Sequence, residues 1–242
     1  MYSKEYLMAK VTYLEGELAK LPKVKLGKSQ GRDIVYVYTN AGDKVTRNRY
    51  FTTSKKGIDY LEVYKQIENT RNELKKLYTD HEFLISDKRV SIKPVKLLPY
   101  SLRENLVPDC NPMPKTGDYW FKDTQMRSRL EIVTALVLES MGLEFMYEPC
   151  ITIYGDDYYP DFVVFLPELG CCFIIECLGI ADDRGYLFKN TSKLVDYIHI
   201  GFDINLNYLL FRGTVKYIPD PSMMKSDIEH LINNLARSVV VA

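Results

Sequence analysis

Two acidic side chains lie within stretches of sequence that are otherwise almost entirely apolar. Asp161 directly precedes the run at 162–166, and Glu176, fifteen residues further on, lies inside the run at 173–178. Apolar runs of this length predict strands that are buried in a sheet. A buried charge is costly unless it is paired or bound to a metal ion. The two carboxylates therefore predict a site for Mg²⁺ or Mn²⁺, ions that take oxygen ligands, polarise phosphoryl oxygens and activate bound water.

Other residues in the same half of the chain could complete a phosphate-processing site. Glu131 borders the apolar stripe of a helix predicted at 125–141 and could supply a third carboxylate. A second helix, predicted at 184–199, carries residues spaced by three, four or seven along one side: Tyr186, Lys189, Lys193 and Tyr197. A lysine on this side could orient an attacking water or neutralise charge that develops on a phosphate.

Each of these residues also has an ordinary structural explanation. Asp161 could be a turn residue at the entry to a strand, and Glu131 or a helix lysine could be a solvated surface side chain. Glu176 is harder to explain in this way, because it lies in mid-strand between Ile175 and Cys177. The structural explanation therefore stays open for each residue singly and is weakest for the set as a whole.

The second half of the chain predicts a regular succession of elements that would position these residues. Gly142 is suited to end the helix at 125–141, and Asp182 and Asp183 are suited to cap the helix at 184–199. The remaining elements are strands at 146–153, 159–166, 171–178 and 207–211 and a helix at 221–237. The order is helix, three strands, helix, strand, helix.

The first half predicts a separate region of helices and a hairpin. Helices are indicated at 4–21 and 56–78, and the strands 33–40 and 45–52 flank a turn signal at 40–43. The proline-rich stretch 94–120 is typical of an extended connector. These patterns predict an α/β (α+β) protein with an N-terminal region at 1–93, a linker at 94–120 and a second domain at 121–242.

Basic residues are concentrated near the predicted hairpin. Residues 1–100 hold 20 Lys and Arg against 12 Asp and Glu, and residues 101–242 hold 12 against 20. This asymmetry is typical of a protein in which one region binds a polyanion and another region binds cations. Ordinary surface charge is the alternative explanation. The residues predicted to contact phosphates are Lys25, Lys28, Arg32, Lys44, Arg47 and Arg49. The interleaved tyrosines could stack on bases, although packing against the flanking helices is the favoured interpretation.

Several protein classes are disfavoured by what the sequence lacks. No stretch approaches the roughly 18 apolar residues of a membrane span, and the first residues contain no signal-peptide core. The five cysteines have no disulfide or zinc spacing, which predicts a cytoplasmic protein with reduced thiols. No glycine-rich phosphate loop is present, which argues against an ATPase.

The acidic motifs resemble those of the PD-(D/E)xK nuclease superfamily, over about residues 124–212. The similarity is to a bacterial branch of uncharacterised nucleases, and it rests on R-S-x-x-E at 127–131, P-D-F at 160–162 and E-x-x-G-x-x-D-D-x-x-Y at 176–186. The resemblance implies a restriction-endonuclease-like core of helix, three antiparallel strands, helix and parallel strand. It also implies metal-binding roles for Glu131, Asp161 and Glu176, and supporting roles for Ser128, Tyr186, Lys189 and Tyr197.

Two positions depart from the pattern of the superfamily. The usual lysine two residues after the second acid is Leu178 here, and the histidine usual after the glutamate in the resembling branch is Cys177. In that branch the lysine has moved to the following helix, which makes Lys193 the expected catalytic lysine and Lys189 the reserve.

Together these features predict a Mg²⁺- or Mn²⁺-dependent nuclease, a hydrolase of phosphodiester bonds in DNA, with no membrane partner. The main alternative is a nucleic-acid-binding protein that keeps the fold and has lost cleavage, motivated by Leu178 and Cys177. A third hypothesis is a phage or mobile-element scaffold protein that contacts no nucleic acid. The sequence leaves DNA versus RNA, strandedness and oligomeric state open.

Overall fold

The protein is a mixed α and β structure, seen here in a computed structural model that describes residues 1–41, 44–86 and 89–241, without the side chains of residues 40, 41, 44 and 189. The α-helices are α1 Lys4–Lys20, α2 Lys55–Asp80, α3 Phe83–Ser86, α4 Arg129–Ser140, α5 Arg184–His199 and α6 Pro221–Val239. The first six strands are β1 Lys23–Ser29, β2 Arg32–Ala41, β3 Lys44–Phe51, β4 Ser91–Ile92, β5 Tyr119–Phe121 and β6 Thr124–Met126. The others are β7 Glu144–Tyr147, β8 Ile151–Ile153, β9 Asp156–Tyr158, β10 Phe162–Leu166, β11 Cys171–Leu178, β12 Tyr208–Arg212 and β13 Val240–Val241.

The chain divides into two compact units, one of Lys10–Arg89 and one of Met1–Ala9 with Val90–Ala242. The segment 94–120 is therefore not a connector between units, as its prolines had suggested. Leu98 is 2% exposed in the core of the larger unit, and its carbonyl accepts a hydrogen bond of 2.9 Å from the Cys172 amide. Burial of this leucine and pairing with β11 hold the segment against the sheet.

The smaller unit is built on an antiparallel sheet in the order β1-β2-β3. The predicted hairpin is present as β2 and β3, although Gly42 and Asp43 of its turn lie outside the described residues. Strand β1 was not predicted, because its lysines and glycine give a weak strand pattern. One face of the sheet packs on α2 through a core of Val24, Val35, Val37 and Ile67.

The larger unit holds a four-stranded sheet in the order β12-β11-β10-β7. Strand β10 pairs antiparallel with both β7 and β11, whereas β12 runs parallel to β11. All residues of β10 and β11 are buried, as expected of strands covered on both faces. The two strands that carry the predicted carboxylates are therefore the central pair of this sheet.

The predicted boundaries of two elements near these strands were wrong. The helix at 125–141 begins only at Arg129, because Ser128 caps it and residues 124–126 pair with β5 instead. The strand at 146–153 ends at Tyr147, because Pro149 lacks an amide proton and Glu148 adopts a φ of 43°. A short hairpin of β8 and β9 follows in place of a continuous strand.

Other local predictions agree with the structure. Gly142 has a φ of 68° after α4, the left-handed conformation that glycine adopts readily. Asp183 caps α5 by accepting a hydrogen bond of 2.8 Å from the Tyr186 amide. All five cysteines are free thiols. Within the described part of the chain, no helix combines the length and apolar character needed to cross a bilayer.

Candidate functional site

A cavity of about 510 Å³ opens in the larger unit, where the N-terminal end of α4 meets the ends of the central strands and the first turns of α5. Four carboxylate side chains line it, accompanied by basic and aromatic groups. The lining residues that matter below are Arg127, Ser128, Glu131, Glu148, Asp161, Glu176, Leu178, Tyr186 and Lys193. The three acids and the lysine predicted from the sequence are thus brought to one cavity.

Asp161 and Glu176 face each other because of the strand register. Phe162 pairs with Ile175, so the next position along β10 places Asp161 opposite Glu176 on β11. Directly opposed residues of antiparallel strands project to the same face, with Cβ atoms about 5 Å apart. The Cys177 amide fixes Asp161 by donating a hydrogen bond of 2.7 Å to Oδ2. The two carboxylates therefore occupy adjacent positions on one face.

Glu176 is a charged group held in an apolar strand, with 3% of its surface exposed. Its Oε2 accepts a hydrogen bond of 2.8 Å from Lys193 Nζ, whereas Oε1 has no hydrogen-bond partner among the described residues. Burial and the nearby charge of Asp161 raise the pKa of Glu176 to about 8, against the opposing effect of Lys193. A buried oxygen without a partner is costly. Glu176 is among the residues that line the cavity.

Lys193 reaches the carboxylates from α5. Its ammonium group donates hydrogen bonds of 2.8 Å to Glu176 Oε2 and to the carbonyl of Tyr159. Burial lowers its pKa, but the charges of Glu176 and Asp161 outweigh this effect, so the pKa of Lys193 is raised. Lys193 is therefore a cation at neutral pH, suited to electrostatic stabilisation rather than to removing a proton.

Glu131 has a structural function that its motif signals. Ser128 and Glu131 form a variant of the capping box at the start of α4, in which the Glu131 amide donates to Ser128 Oγ at 3.2 Å and the Ser128 hydroxyl, rather than its amide, donates to Glu131 Oε1 at 2.9 Å. Oε2 accepts hydrogen bonds from the Arg127 amide at 2.8 Å and the Tyr147 hydroxyl at 2.6 Å. Since both oxygens have donors, Glu131 is better placed to act on bound water than to ligate a metal directly.

Glu148 is a fourth acid of the cavity that sequence reasoning missed. It is fully buried, and its Oε1 accepts hydrogen bonds from Arg127 Nε at 2.5 Å and Asn111 Nδ2 at 2.7 Å. Lys115 Nζ lies 3.8 Å from Oε2. Its amide donates to the Asp161 carbonyl at 2.9 Å, and its charge adds to the effect of burial in raising the pKa of Asp161. The signal available in the sequence was an acid followed by proline at the end of a strand.

The Arg127–Glu148 pair gives a prediction about stability. Replacing Arg127 by methionine leaves the Glu148 carboxylate buried with weaker compensation, which we expect to lower the free energy of unfolding by about 3 kcal/mol. Urea unfolding at neutral pH measures this loss. The double variant R127M/E148Q removes the uncompensated charge, so it should recover much of the stability. An R127M protein as stable as the wild type would show that the pair has no such role.

The supporting residues take different positions. Tyr186 lines the cavity, and Ser128 contributes through the capping box. Tyr197 is fully buried in the core. Its ring centroid lies 5.8 Å from Lys193 Nζ and 5.7 Å from the ring of Tyr208, so the ring packs between the lysine ammonium and the core. Lys189 belongs to α5, but its side chain lies outside the described residues.

The two departures from the superfamily pattern have clear structural settings. Leu178 follows Glu176 by two residues and lines the same cavity, where the buried leucine supplies no charge. Lys193 is the cationic side chain that contacts Glu176 in this cavity. Cys177 projects to the other face of β11, and its Sγ lies 3.3 Å from Thr134 Oγ1 of α4. The thiol is therefore part of the packing between sheet and helix.

The basic residues predicted to contact phosphates belong to the smaller unit and do not all share a face. The strand register places Lys25, Arg32, Arg47 and Arg49 on one side of the sheet. Lys28 lies on the opposite side, where it is paired in register with Asp33. Its contact with phosphates stays a prediction. The side chain of Lys44 lies outside the described residues.

The carboxylates of the cavity do not form a closed metal cage. In the part of the chain that the structure describes, no group of three or more His, Cys, Asp or Glu side chains has the arrangement of a metal site. Magnesium ions commonly use only one or two protein carboxylates and fill the remaining positions with water and phosphate oxygens. Asp161 and Glu176 match this sparse ligation.

The raised pKa values give a prediction for the pH dependence of stability. Burial and the charge of Asp161 raise the pKa of Glu131 to about 7, and that of Glu176 is raised to about 8. The folded state therefore binds more protons than the unfolded chain. The contribution of these two groups to the free energy of unfolding is greatest below about pH 4.5 and is lost as the pH rises through 7 and 8. Thermal unfolding of metal-free protein from pH 5 to 9 should show a smaller decline for E176Q. An equal decline in both proteins would contradict this assignment.

Comparison of the chain with protein-family models, with curated proteins and with solved structures finds no match. The functional assignment therefore depends on the geometry of the cavity itself.

Proposed function

We propose that the cavity is the active site of a metal-dependent nuclease that hydrolyses phosphodiester bonds in DNA. The observation that carries this proposal is the buried Oε1 of Glu176, which has no hydrogen-bond partner among the described residues and belongs to a side chain opposite Asp161. A divalent cation is the ligand that would satisfy both carboxylates at once.

Asp161 and Glu176 would hold Mg²⁺ or Mn²⁺, and their environment fits such an ion. Both are carboxylates, whose hard oxygen atoms these ions prefer, and burial raises the pKa of each. When bound, the ion would supply charge stabilisation at a phosphoryl oxygen and a water of lowered pKa. Deprotonation of Glu176, whose pKa is about 8, would accompany its binding.

The chain's own residues supply the remaining requirements of phosphodiester hydrolysis. The Lys193 ammonium lies 2.8 Å from Glu176 Oε2, so it stands at the edge of the same site and would stabilise negative charge on a transferring phosphate. Glu131 would orient an attacking water, and the cavity face of Tyr186 would hold the substrate beside Lys193. Glu148 would fix Arg127 at the rim of the cavity.

We also infer that the succession α4, β7, β10, β11, α5 and β12 is a restriction-endonuclease-like core. The strand order β7-β10-β11-β12 supports this inference, with three antiparallel strands followed after a helix by a parallel one. The acids lie on the central strands of the sheet, and the lysine lies on the crossover helix α5.

A nucleic-acid-binding protein without cleavage is the second candidate. It is favoured by Leu178, which puts a neutral side chain at the position of the usual lysine, and by the engagement of Lys193 with both Glu176 and a backbone carbonyl. This candidate predicts binding of DNA that depends on salt and no turnover with any divalent ion.

The test of the proposal is cleavage by purified protein of single-stranded DNA, duplex DNA and RNA with Mg²⁺, Mn²⁺ or Ca²⁺, and with chelator. Turnover with Mg²⁺ or Mn²⁺ that stops in chelator is expected. Binding without turnover under all of these conditions would instead support the second candidate, and absence of both would refute the two together.

A further inference from the structure

The sheet of the smaller unit carries a regular pattern of basic and aromatic side chains on one face. The register aligns Lys25, Tyr36 and Arg49 across β1, β2 and β3, so that a tyrosine stands between two cations. The row formed by Lys23, Tyr38 and Arg47 repeats the arrangement two residues along. Neither row contains an acidic residue. We call these six residues the basic–tyrosine face.

The side chains of these two rows reach solvent, whereas the valines between them on the strands do not. The four basic side chains of the two rows are exposed, and both tyrosines are partly exposed. Val24, Val35 and Val37 alternate with them and point to the core. Tyr50 also points to that side, where its ring stacks on Tyr60 with centroids 5.4 Å apart. The tyrosines that pack on the helix are therefore different from those of the basic–tyrosine face.

The ring of Tyr36 lies over Gly27 of β1, two residues from its register partner Lys25. A Cβ atom added to Gly27 would come within 2.6 Å of Tyr36 Cε2, so the ring covers this position. The guanidinium carbon of Arg47 lies 4.9 Å from the centre of the same ring. Glycine inside a strand is otherwise unfavourable and often marks the close approach of another group. Here it permits an aromatic ring to lie along the sheet.

We propose that the basic–tyrosine face binds single-stranded nucleic acid. Every base has an aromatic face that can stack on tyrosine, and the phosphates between bases are matched by cations on both sides of each ring. The charge of the unit agrees with a polyanionic partner, since residues Lys10–Arg89 hold 17 Lys and Arg against 11 Asp and Glu.

The geometry favours a single strand over a duplex. The two rows are two residues apart along the strands, which is about 6.7 Å. That distance is about twice the rise of 3.4 Å between successive phosphates of one strand in duplex DNA, and the bases of a duplex have no free faces for stacking. An extended single strand offers both the wider phosphate spacing and the free base faces that the two rows require. This inference does not depend on the proposed nuclease activity, since binding is measured without metal.

The test is fluorescence anisotropy of full-length protein with labelled oligo-dT, oligo-U and a duplex of about 12 nucleotides or base pairs, in chelator. Oligo-dT or oligo-U should bind more tightly than the duplex, and the tighter of the two identifies DNA or RNA. Raising the salt concentration from about 50 to 200 mM should weaken binding with a slope of about −3 in logarithmic terms, for four phosphate contacts.

Four variants separate the contribution of stacking from that of charge. Y36L/Y38L should weaken single-strand binding by roughly tenfold or more, and Y36F/Y38F should restore it, because phenylalanine retains the ring. R47Q/R49Q at exposed positions should lower both affinity and salt slope. G27A should displace the Tyr36 ring and weaken binding without changing charge.

The matched control is K75Q/K76Q, which removes two exposed charges from α2 of the same unit and should change the affinity by less than R47Q/R49Q does. Equal losses from the two charge variants, or unchanged binding by Y36L/Y38L in a folded protein, would overturn the proposal. A higher affinity for the duplex than for both single strands would also overturn the proposal.

Discussion

Asparagine in place of Asp161 is expected to reduce Mg²⁺-dependent cleavage of DNA by about 10³-fold or more. The substitution removes one of two charged oxygen ligands, and loss of about 4 kcal/mol of transition-state stabilisation corresponds to this factor. Asparagine keeps the shape of the side chain and an oxygen that can accept the hydrogen bond from the Cys177 amide. Single-turnover cleavage rates at saturating metal measure the effect.

Measuring the stability of D161N distinguishes the loss of a metal ligand from the loss of the folded structure. Because burial raises the pKa of Asp161, a neutral side chain there should leave the protein at least as stable as the wild type. D156N changes an exposed aspartate of β9 and is the matched control, expected to cleave within about twofold of the wild-type rate. Metal-dependent cleavage at the wild-type rate by D161N would refute the assignment of this residue.

Replacement of Lys193 by methionine is expected to lower the cleavage rate by about 10²- to 10³-fold while leaving metal binding intact. The ammonium is the cation closest to the two carboxylates, and a preorganised charge of this kind stabilises a developing anion. The conservative variant K193R should retain part of the activity. The rate constant of the chemical step and the metal affinity are measured separately, because a ligand to the metal would change both.

A relocation experiment distinguishes the charge of Lys193 from its role in packing. Residue 178 lies on the same face of β11 as Glu176, so a lysine there would project into the same cavity. L178K introduced into K193M should recover a measurable fraction of the lost rate. No loss of rate in K193M, or equal loss of metal affinity and rate, would show that the ammonium does not act on the transition state.

The pairing of the acids was predictable because it depends on local pattern. Glu176 follows Asp161 by fifteen positions, and two apolar strands with a short turn between them allow few registers. The helix that carries Lys193 was equally clear from its aspartate cap and from the three- and four-residue spacing of Tyr186, Lys189, Lys193 and Tyr197. Each of these features involves residues that are close in sequence or in adjacent strands.

The parts that could not be predicted depend on contacts between distant segments. Glu148 is buried only because Asn111 and Arg127 reach it from other parts of the chain. The segment 94–120 has the prolines of a linker, yet burial of Leu98 in the core outweighs that local tendency. The capping box of Ser128 and Glu131 was visible in the sequence, but the resemblance to a nuclease motif directed attention to metal binding instead.

The most direct test of the central claim is the location of a divalent ion in crystals soaked with Mn²⁺. Anomalous diffraction should show one peak between the carboxylates of Asp161 and Glu176, with oxygen atoms of both at about 2.1 Å, as for ions of this class. Crystals of D161N should lack this peak. A peak elsewhere in the chain, or an empty cavity in which Lys193 still neutralises Glu176 at saturating Mn²⁺, would contradict the account.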